Sequence, residues 1–355
     1  MASETPAIDA IPEISDTHRV ELIQKISSMA PEISSTTWAV LWLSDIEQLE
    51  DLSNVKAGLL SATLTGLVDP TRQILLQWAS RARHVDSDKA SKRKRSDSIK
   101  DMCIKRDEYC LLTGKEEPVG ITHIYPYSMM GKPKTTHELF WRHLASFWCP
   151  DRIERWKKTA MGPSGTEVLE NVMCLSRESH GLWGKARFAL QPVELSVDRK
   201  ALTVRFFWIP VSKYMKTMDL KATPFLPSNL GHTGKRIKLF DCESEKPICS
   251  GDIITMKTSD PDEYPLPSFA LLEMQWFLTR ALGLSGAADV DPADWDSDFE
   301  DEEEEEELVA RPRGRAHNLQ ENQHPSRASS RMSGKAAPGS RDTSRSCSLS
   351  VRSRH

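Results

Sequence analysis

The spacing of hydrophobic residues predicts a helical region near the start of the chain. Between residues 16 and 85, apolar side chains recur three or four positions apart, as at Trp38, Leu41 and Trp42. This is the spacing of one helix face, and it predicts about three helices. Asp69-Pro70 predicts the start of one of them, because aspartate caps helices and proline suits the first turn. We interpret the region as a small bundle that packs on the later part of the chain.

Two later stretches also carry regular patterns. Residues 193–209 alternate polar and apolar side chains on both sides of Asp198-Arg199-Lys200, which predicts a β-hairpin. Ser268 precedes an amphipathic stretch that includes Leu271 and Trp276 and closes near Gly283. Serine is a favoured N-cap, so this stretch predicts a capped helix.

Three further stretches lack such patterns and are rich in polar or charged residues. Residues 1–15 are polar, residues 86–97 carry the basic run Lys92–Arg95, and residues 287–355 contain an acidic run followed by Arg/Ser-rich sequence. Such compositions bury too little apolar surface to offset the entropy of ordering, which predicts disordered tails and an exposed linker. The basic run is either a nuclear-import signal or a solvated linker. The tail could bind a nucleic acid or a protein partner.

Bulk composition narrows the class of protein without identifying it. The 355 residues are 39% hydrophobic and carry a formal net charge of −4, which fits a protein with a real core. No apolar run reaches the length of a membrane span, and the start lacks a signal-peptide pattern. Both observations predict an intracellular protein of the nucleus or cytoplasm. The seven scattered cysteines favour reduced thiols over a disulfide framework and argue against structural zinc.

Three short motifs carry the candidate chemistry: residues 106–114, 120–126 and 171–180. The first predicts a helix end and a tight turn, and the second predicts a short strand with His123 near its end. The third predicts a turn at Asn171, a second strand, and a helix that carries His180. In such a ββα pocket, a general base and a metal ligand can face one phosphodiester. Its hydrolysis requires an activated water and a positive charge.

In this order, the motifs Arg-Asp-x2-Cys-x2-Thr-Gly, His-Ile-x-Pro and Asn-x8-His resemble the HNH endonuclease family. They are similar to the HNH-containing proteins of filamentous fungi, over roughly residues 97–286. The resemblance implies an α+β fold with a ββα-metal module, in which His123 is the general base, Asn171 braces the hairpin and His180 is a metal ligand. It also implies a divalent ion (Mg²⁺, Mn²⁺, Ni²⁺ or Zn²⁺) and a nucleic acid substrate, DNA more than RNA.

The chain departs from the family pattern at the metal site. Many members place an acidic residue or histidine just before the base, where this chain has Thr122, at best a weak ligand. Some members add a ligand four positions after the last histidine, where this chain has Gly184. Zinc-ribbon cysteines are missing as well. Four side chains could supply a further ligand: His137, His143, Asp151 and Glu178.

The step from His123 to Asn171 is longer than in compact members, which predicts a helical insertion between the two strands. Its aromatic residues are expected to form core or lid before any base-stacking surface: Phe140, Trp141, Phe147, Trp148 and Trp156. The predicted order is a tail (1–15), a helical region (16–85), a linker (86–97), an HNH-like domain with a C-terminal hairpin and helix (98–286), and a tail (287–355).

These features support three functional hypotheses. The first is a metal-dependent endonuclease, and the second is a catalytically weakened HNH scaffold that binds nucleic acid or a protein. The third is an interaction protein that works through its tail. Arg106, Arg177 and Lys185 are candidate nucleic-acid contacts, although a structural salt bridge to Asp107 explains Arg106 equally well. Replacing His123 by alanine is expected to remove cleavage and barely alter folding.

Overall fold

The N-terminal region is helical. The structure, a computed structural model, describes residues 11–79, 97–129, 132–162, 165–231 and 237–290. Its first helices are α1 (Pro12–Ser15), α2 (Thr17–Met29), α3 (Ser35–Trp42), α4 (Ile46–Ser53) and α5 (Ala57–Trp78). The predicted 86–97 linker, except residue 97, and the predicted tail beyond residue 290 lie outside the described residues. Residues 12–15, which the sequence places in a disordered tail, form α1, whose Ile14 is buried.

The predicted helix start at Asp69-Pro70 is wrong. Helix α5 passes through Pro70 without a break, although proline removes one hydrogen bond from a helix interior. The residues on both sides of Pro70 explain why the helix continues. The buried residues of both halves lie in one core: Leu60, Leu64, Ile74, Leu75 and Trp78. Tertiary packing of one apolar face outweighs the local helix-breaking tendency.

The three motifs lie in consecutive elements. Helix α6 (Asp97–Asp107) ends in the first motif, strand β2 (Val119–His123) carries the second, and strand β3 (Val172–Ser176) followed by helix α9 (Arg177–Gly184) carries the third. Strands β2 and β3 pair antiparallel. The insertion between them contains α7 (Lys134–Leu144) and α8 (Pro150–Ala160). The aromatic residues expected in the core are buried: Phe140, Trp141, Phe147, Trp148 and Trp156.

A three-stranded antiparallel sheet and a long helix come next in the chain. The sheet has the order β4 (Phe188–Leu195), β5 (Ala201–Trp208) and β7 (Ile253–Lys257). The predicted hairpin is confirmed, but it begins earlier, at Phe188. Helix α10 (Phe269–Leu284) begins after Ser268, whose hydroxyl accepts a hydrogen bond from the Leu271 N–H, as its sequence predicts. A small pair, β1 (Glu32–Ile33) with β6 (Met218–Asp219), joins the N-terminal helices to a later loop.

Helix α10 joins the regions of the chain into one core. It packs against β4 and against the helices α3, α5 and α8. The indole of Trp78 donates a hydrogen bond to Thr279 Oγ1 at 3.0 Å, and that of Trp42 donates to the Leu220 carbonyl at 3.0 Å.

The described elements combine helices with small antiparallel sheets, which confirms the predicted α+β class. No described helix combines the length and apolar character needed to cross a membrane. The six described cysteines form no disulfide.

Candidate active site

The β2–β3 hairpin lies between two helices. Because side chains alternate along a strand, each strand presents one face to each helix. Ile121, Val172 and Cys174 pack with Cys103 of α6, whereas Met173 and Leu175 join the main core that includes Trp183 of α9. Ser176 caps α9 by accepting a hydrogen bond from the Ser179 N–H at 3.2 Å. The sequence therefore turns directly from the second strand into the helix that carries His180.

His123 is the last residue of β2 and pairs in register with Val172. Its side chain is only 5% exposed, and its Nε2 lies 2.6 Å from Oε1 of Glu167. Its ring centroid lies 5.2 Å from that of Tyr127. The indole of Trp183 donates to the His123 carbonyl at 3.3 Å. Helix α9 thus contacts the backbone of His123 directly.

Asn171 connects the two segments that flank the imidazole. Its Oδ1 accepts a hydrogen bond from the Tyr125 N–H at 2.7 Å, and its Nδ2 donates to the carbonyls of Thr166 at 2.9 Å and Tyr125 at 3.3 Å. Its own carbonyl accepts from the Ile124 N–H at 2.9 Å. Asn171 is 1% exposed, so these bonds are protected from water. They brace the chain just after His123 against the chain just before Glu167.

Glu167 is a site residue that sequence reasoning missed. It lies in the insertion, and only the fold brings it to His123. Its side chain is 18% exposed, and its Oε2 is buried without a hydrogen-bonding partner among the described atoms. In the sequence it does not differ in kind from Glu170, three positions later. No local pattern could have identified it.

His180 is exposed on α9. Helical spacing places it on the same face as Trp183 and Gly184. Trp183 reaches the His123 carbonyl, and Gly184 borders a small cavity of about 10 Å³ together with Ile124 and Pro126. That face of α9 is therefore directed at the segment around His123, and His180 lies one turn before it.

This geometry agrees with the comparison with known protein families. Residues 110–191 match the model of the family described as HNH endonuclease. This segment is an HNH domain. The match covers less than a quarter of the 355 residues, so it identifies the domain and not the activity of the whole chain. Neither the comparison with curated proteins nor that with solved structures gives a match.

The HNH domain holds few ligands for the divalent metal ion that its family typically uses. Thr122 is 2% exposed, and its hydroxyl has no hydrogen-bonding partner in the described part of the chain. By strand alternation it points to the face of β2 that α9 covers. Across the described ranges, one group of three ligating side chains has its ligand atoms within 4.8 Å, and neither His123 nor His180 belongs to it.

The four side chains considered as further ligands take other positions. His137 and His143 lie on α7, where burial lowers the pKa of each imidazole. Asp151 is exposed in the first turn of α8. Glu178 pairs with Lys115 at 3.4 Å. None of the four belongs to a group of three ligating side chains among the described residues.

The group of three that does exist is Cys103, Asp107 and Cys174, and we interpret it as structural. Asp107 accepts hydrogen bonds from Arg106 Nε at 2.6 Å and from the Cys174 N–H at 2.7 Å. A guanidinium already neutralises this carboxylate. The hydrogen bond with Cys174, together with burial, raises the pKa of the Cys103 thiol. The carboxylate and both cysteines therefore already take part in hydrogen bonds within the fold.

Arg106 is not available to nucleic acid. Its side chain is fully buried, and it also donates to the carbonyls of Leu169, Val172 and Pro265. The salt bridge with Asp107, which the sequence left open as the alternative, is the arrangement observed. Arg177 and Lys185 differ, because both are exposed, one at each end of α9. In the described part of the chain, neither makes an ion pair.

Proposed function

We propose that the HNH domain is a metal-dependent endonuclease that hydrolyses phosphodiester bonds of nucleic acid, DNA in preference to RNA. The observation that carries the proposal is the position of His123. It ends β2, braced by Asn171, beside the helix that carries His180, and it does so in the segment that matches the HNH family. An imidazole held in a fixed place beside a helix with exposed basic residues suits general-base catalysis of the attack of water on a phosphodiester.

In the proposed reaction, the imidazole of His123 takes a proton from the attacking water as its oxygen bonds to phosphorus. The bond to the leaving ester oxygen breaks, and that oxygen takes up a proton from solvent. Arg177 and Lys185 hold phosphates along α9 as cations. A bound divalent cation would offset the negative charge that develops on the phosphoryl oxygens.

His180 and Thr122 would hold that cation. The imidazole of His180 and the hydroxyl of Thr122, whose oxygen has no hydrogen-bonding partner among the described atoms, are two neutral ligands. An ion held by so few ligands would keep several waters, as Mg²⁺ or Mn²⁺ would. These two ligands do not fit Zn²⁺, which takes three or four side chains in proteins. The proposal therefore includes weak binding of the metal, completed by substrate phosphate.

One observation favours a second candidate, an HNH scaffold that binds nucleic acid without cutting it. No group of three ligating side chains in the described ranges includes His180, so the metal site of an active enzyme is incomplete. The same exposed cations on α9 would serve such a binding module.

The test is cleavage of supercoiled plasmid by the purified full-length protein, with Mg²⁺, Mn²⁺, Ni²⁺ and Zn²⁺ in parallel. We expect Mg²⁺ or Mn²⁺ to support nicking, and His123→Gln to slow it by about 10²–10⁴-fold, the usual contribution of a general base. His180→Ala should raise the metal concentration needed for half-maximal rate.

Binding of a labelled duplex separates the two candidates. The double variant Arg177→Gln with Lys185→Gln should bind duplexes of any sequence more weakly. Its affinity should also fall less steeply as the salt concentration rises. Lys257→Gln, an exposed lysine of β7 outside the HNH domain, is the matched control and should bind as the wild type does. Binding without cleavage in any metal would support the scaffold and refute the nuclease.

A further inference from the structure

We infer that Glu167 is the positioning residue of the general base: its carboxylate accepts a hydrogen bond from Nε2–H of His123 and so places the basic lone pair of the ring on Nδ1. The catalytic role of Glu167 rests on the proposed function. The tautomer and the orientation of the His123 ring do not depend on that function and can be tested without it.

The short contact between the two side chains supports this assignment. The distance from Nε2 to Oε1 is 2.6 Å, which lies in the range of charge-assisted hydrogen bonds. A carboxylate can only accept, so the imidazole nitrogen that faces it carries the proton. A histidine whose one nitrogen donates to a carboxylate has its tautomer and ring plane fixed by that bond.

The loop that carries Glu167 is itself held in place. The preceding residue, Thr166, accepts a hydrogen bond from Asn171 through its carbonyl, and the same amide group binds the backbone of Tyr125, two residues after His123. One buried side chain therefore sets the distance between the backbone of Glu167 and that of His123. The asparagine of the motif thus has a mechanical role, because it holds the carboxylate against the imidazole.

Two other roles for Glu167 fit the structure less well. A second metal ligand would need further ligands nearby, but in the described part of the chain Glu167 belongs to no group of three ligating side chains. A role in the fold alone would be expected to give both buried oxygens a hydrogen-bonding partner, whereas Oε2 has none among the described atoms. The carboxylate is instead directed at His123 through Oε1.

The test combines kinetics with nitrogen-15 spectroscopy of histidine-labelled full-length protein at mildly alkaline pH. The His123 signal is identified by its absence in His123→Ala. In the wild type we expect the Nε2–H tautomer. Glu167→Gln, which keeps an acceptor oxygen, should preserve this tautomer, and Glu167→Ala should mix it with the Nδ1–H form. Glu170→Ala, a carboxylate three positions away, is the control and should leave the signal unchanged.

In kinetics, Glu167→Ala should lower kcat by about 10- to 100-fold with little change in KM, as loss of such a supporting partner typically does. Glu167→Gln should lose less. Added to His123→Ala, Glu167→Ala should cause no further loss, because a residue that acts through the imidazole contributes nothing once the imidazole is gone.

The outcomes separate the inference from the proposed function. An unchanged tautomer and unchanged kcat in Glu167→Ala would overturn the inference, even if His123→Gln abolished cleavage. A changed tautomer in a protein that never cleaves would uphold the inference and refute the nuclease. If Glu167→Ala does not fold, Glu167→Asp is used instead. Its shorter side chain should weaken the hydrogen bond and shift the tautomer in the same direction.

Discussion

His123 and Glu167 link the chemistry of the site to the stability of the fold. Among the described residues, His123 is the hydrogen-bonding partner of Glu167, and the carboxylate is mostly buried. A buried acceptor that loses its partner still bears the free-energy cost of its removal from water, and no hydrogen bond offsets that cost. The expectation from sequence, that replacing His123 would barely alter folding, took no account of this neighbour.

We therefore predict that His123→Ala lowers the free energy of unfolding by roughly 1–3 kcal/mol, the usual cost of a buried polar group left unpaired. Adding Glu167→Ala should recover part of the loss, because the double variant has no orphaned carboxylate. Urea unfolding of the two single variants and the double variant measures this coupling. Equal stability of His123→Ala and the wild type would contradict it.

At the scale of the element, sequence predicted best where the cause is local. The cap at Ser268, the hairpin around Asp198-Arg199-Lys200 and the helix end before Gly114 each depend on neighbouring residues, and the structure has all three. Gly114, with a φ of +66°, supplies a left-handed conformation that other residues avoid. These features needed no knowledge of the fold.

The features that sequence missed depend on residues far apart in the chain. Helix α5 continues through Pro70 because both of its halves meet one core. Arg106 is buried because the carbonyls of Leu169 and Pro265, from two distant segments, converge on it. Glu167 reaches His123 across the insertion. A single sequence shows that such residues exist but not which distant partners they meet.

Helix α9 gives an element-scale test of the metal site. A histidine at position 184 would lie four positions after His180, on one helix face, which is a spacing that binds metal ions. A Cβ built on Gly184 meets no atom within 4 Å, and the same holds for Gly181. We predict that Gly184→His lowers the metal concentration for half-maximal cleavage. Gly181→His, on another face of the same helix, is the control and should not.

Thr122→Asp should also lower the metal concentration for half-maximal cleavage, but it should destabilise the metal-free protein. Thr122 is buried, so an aspartate there would be a buried charge in the metal-free protein. Its melting temperature should fall without metal and recover when metal is added, since a ligand that binds the folded state stabilises it. If neither variant changes the metal concentration needed for cleavage, and added metal does not raise the melting temperature of either, α9 and β2 do not form the metal site.

At the scale of the whole molecule, both ends of the described chain are part of the fold. Arg280 of α10 is fully buried, with its guanidinium 3.5 Å from the centroid of the Trp276 ring. Its NH1 lies 2.8 Å from Oε1 of Glu13 in α1. Burial lowers the pKa of Arg280 to about 10, so it stays charged at neutral pH and depends on Glu13 for its counter-charge.

The C-terminal end of the fold has a similar arrangement. The buried side chain of Arg187 donates to Oδ2 of Asp289 at 2.6 Å, and Ala287 and Ala288 are buried. The boundaries expected from sequence, 15 and 286, therefore separate two buried arginines, Arg280 and Arg187, from their carboxylate partners. The HNH domain, with Trp183 and Phe188 in the main core, shares that core with both ends.

We predict that a chain of residues 11–290 keeps the melting temperature of the full-length protein, because it retains both ion pairs. Shortening it to 16–290 removes Glu13, and shortening it to 11–286 removes Asp289. Each should lower stability, by about 1–3 kcal/mol or more, because each leaves a buried arginine without its carboxylate.

Two point variants separate the ion pairs from the other interactions that each terminal segment makes. Glu13→Gln and Asp289→Asn in the 11–290 chain should reproduce much of the loss caused by the corresponding truncation. Glu21→Gln, an exposed carboxylate of α2, is the control and should change little. Thermal melts followed by circular dichroism measure all of these. If 11–290 melted well below the full-length protein, residues outside the described core would contribute to its stability, and boundaries at 11 and 290 would be wrong.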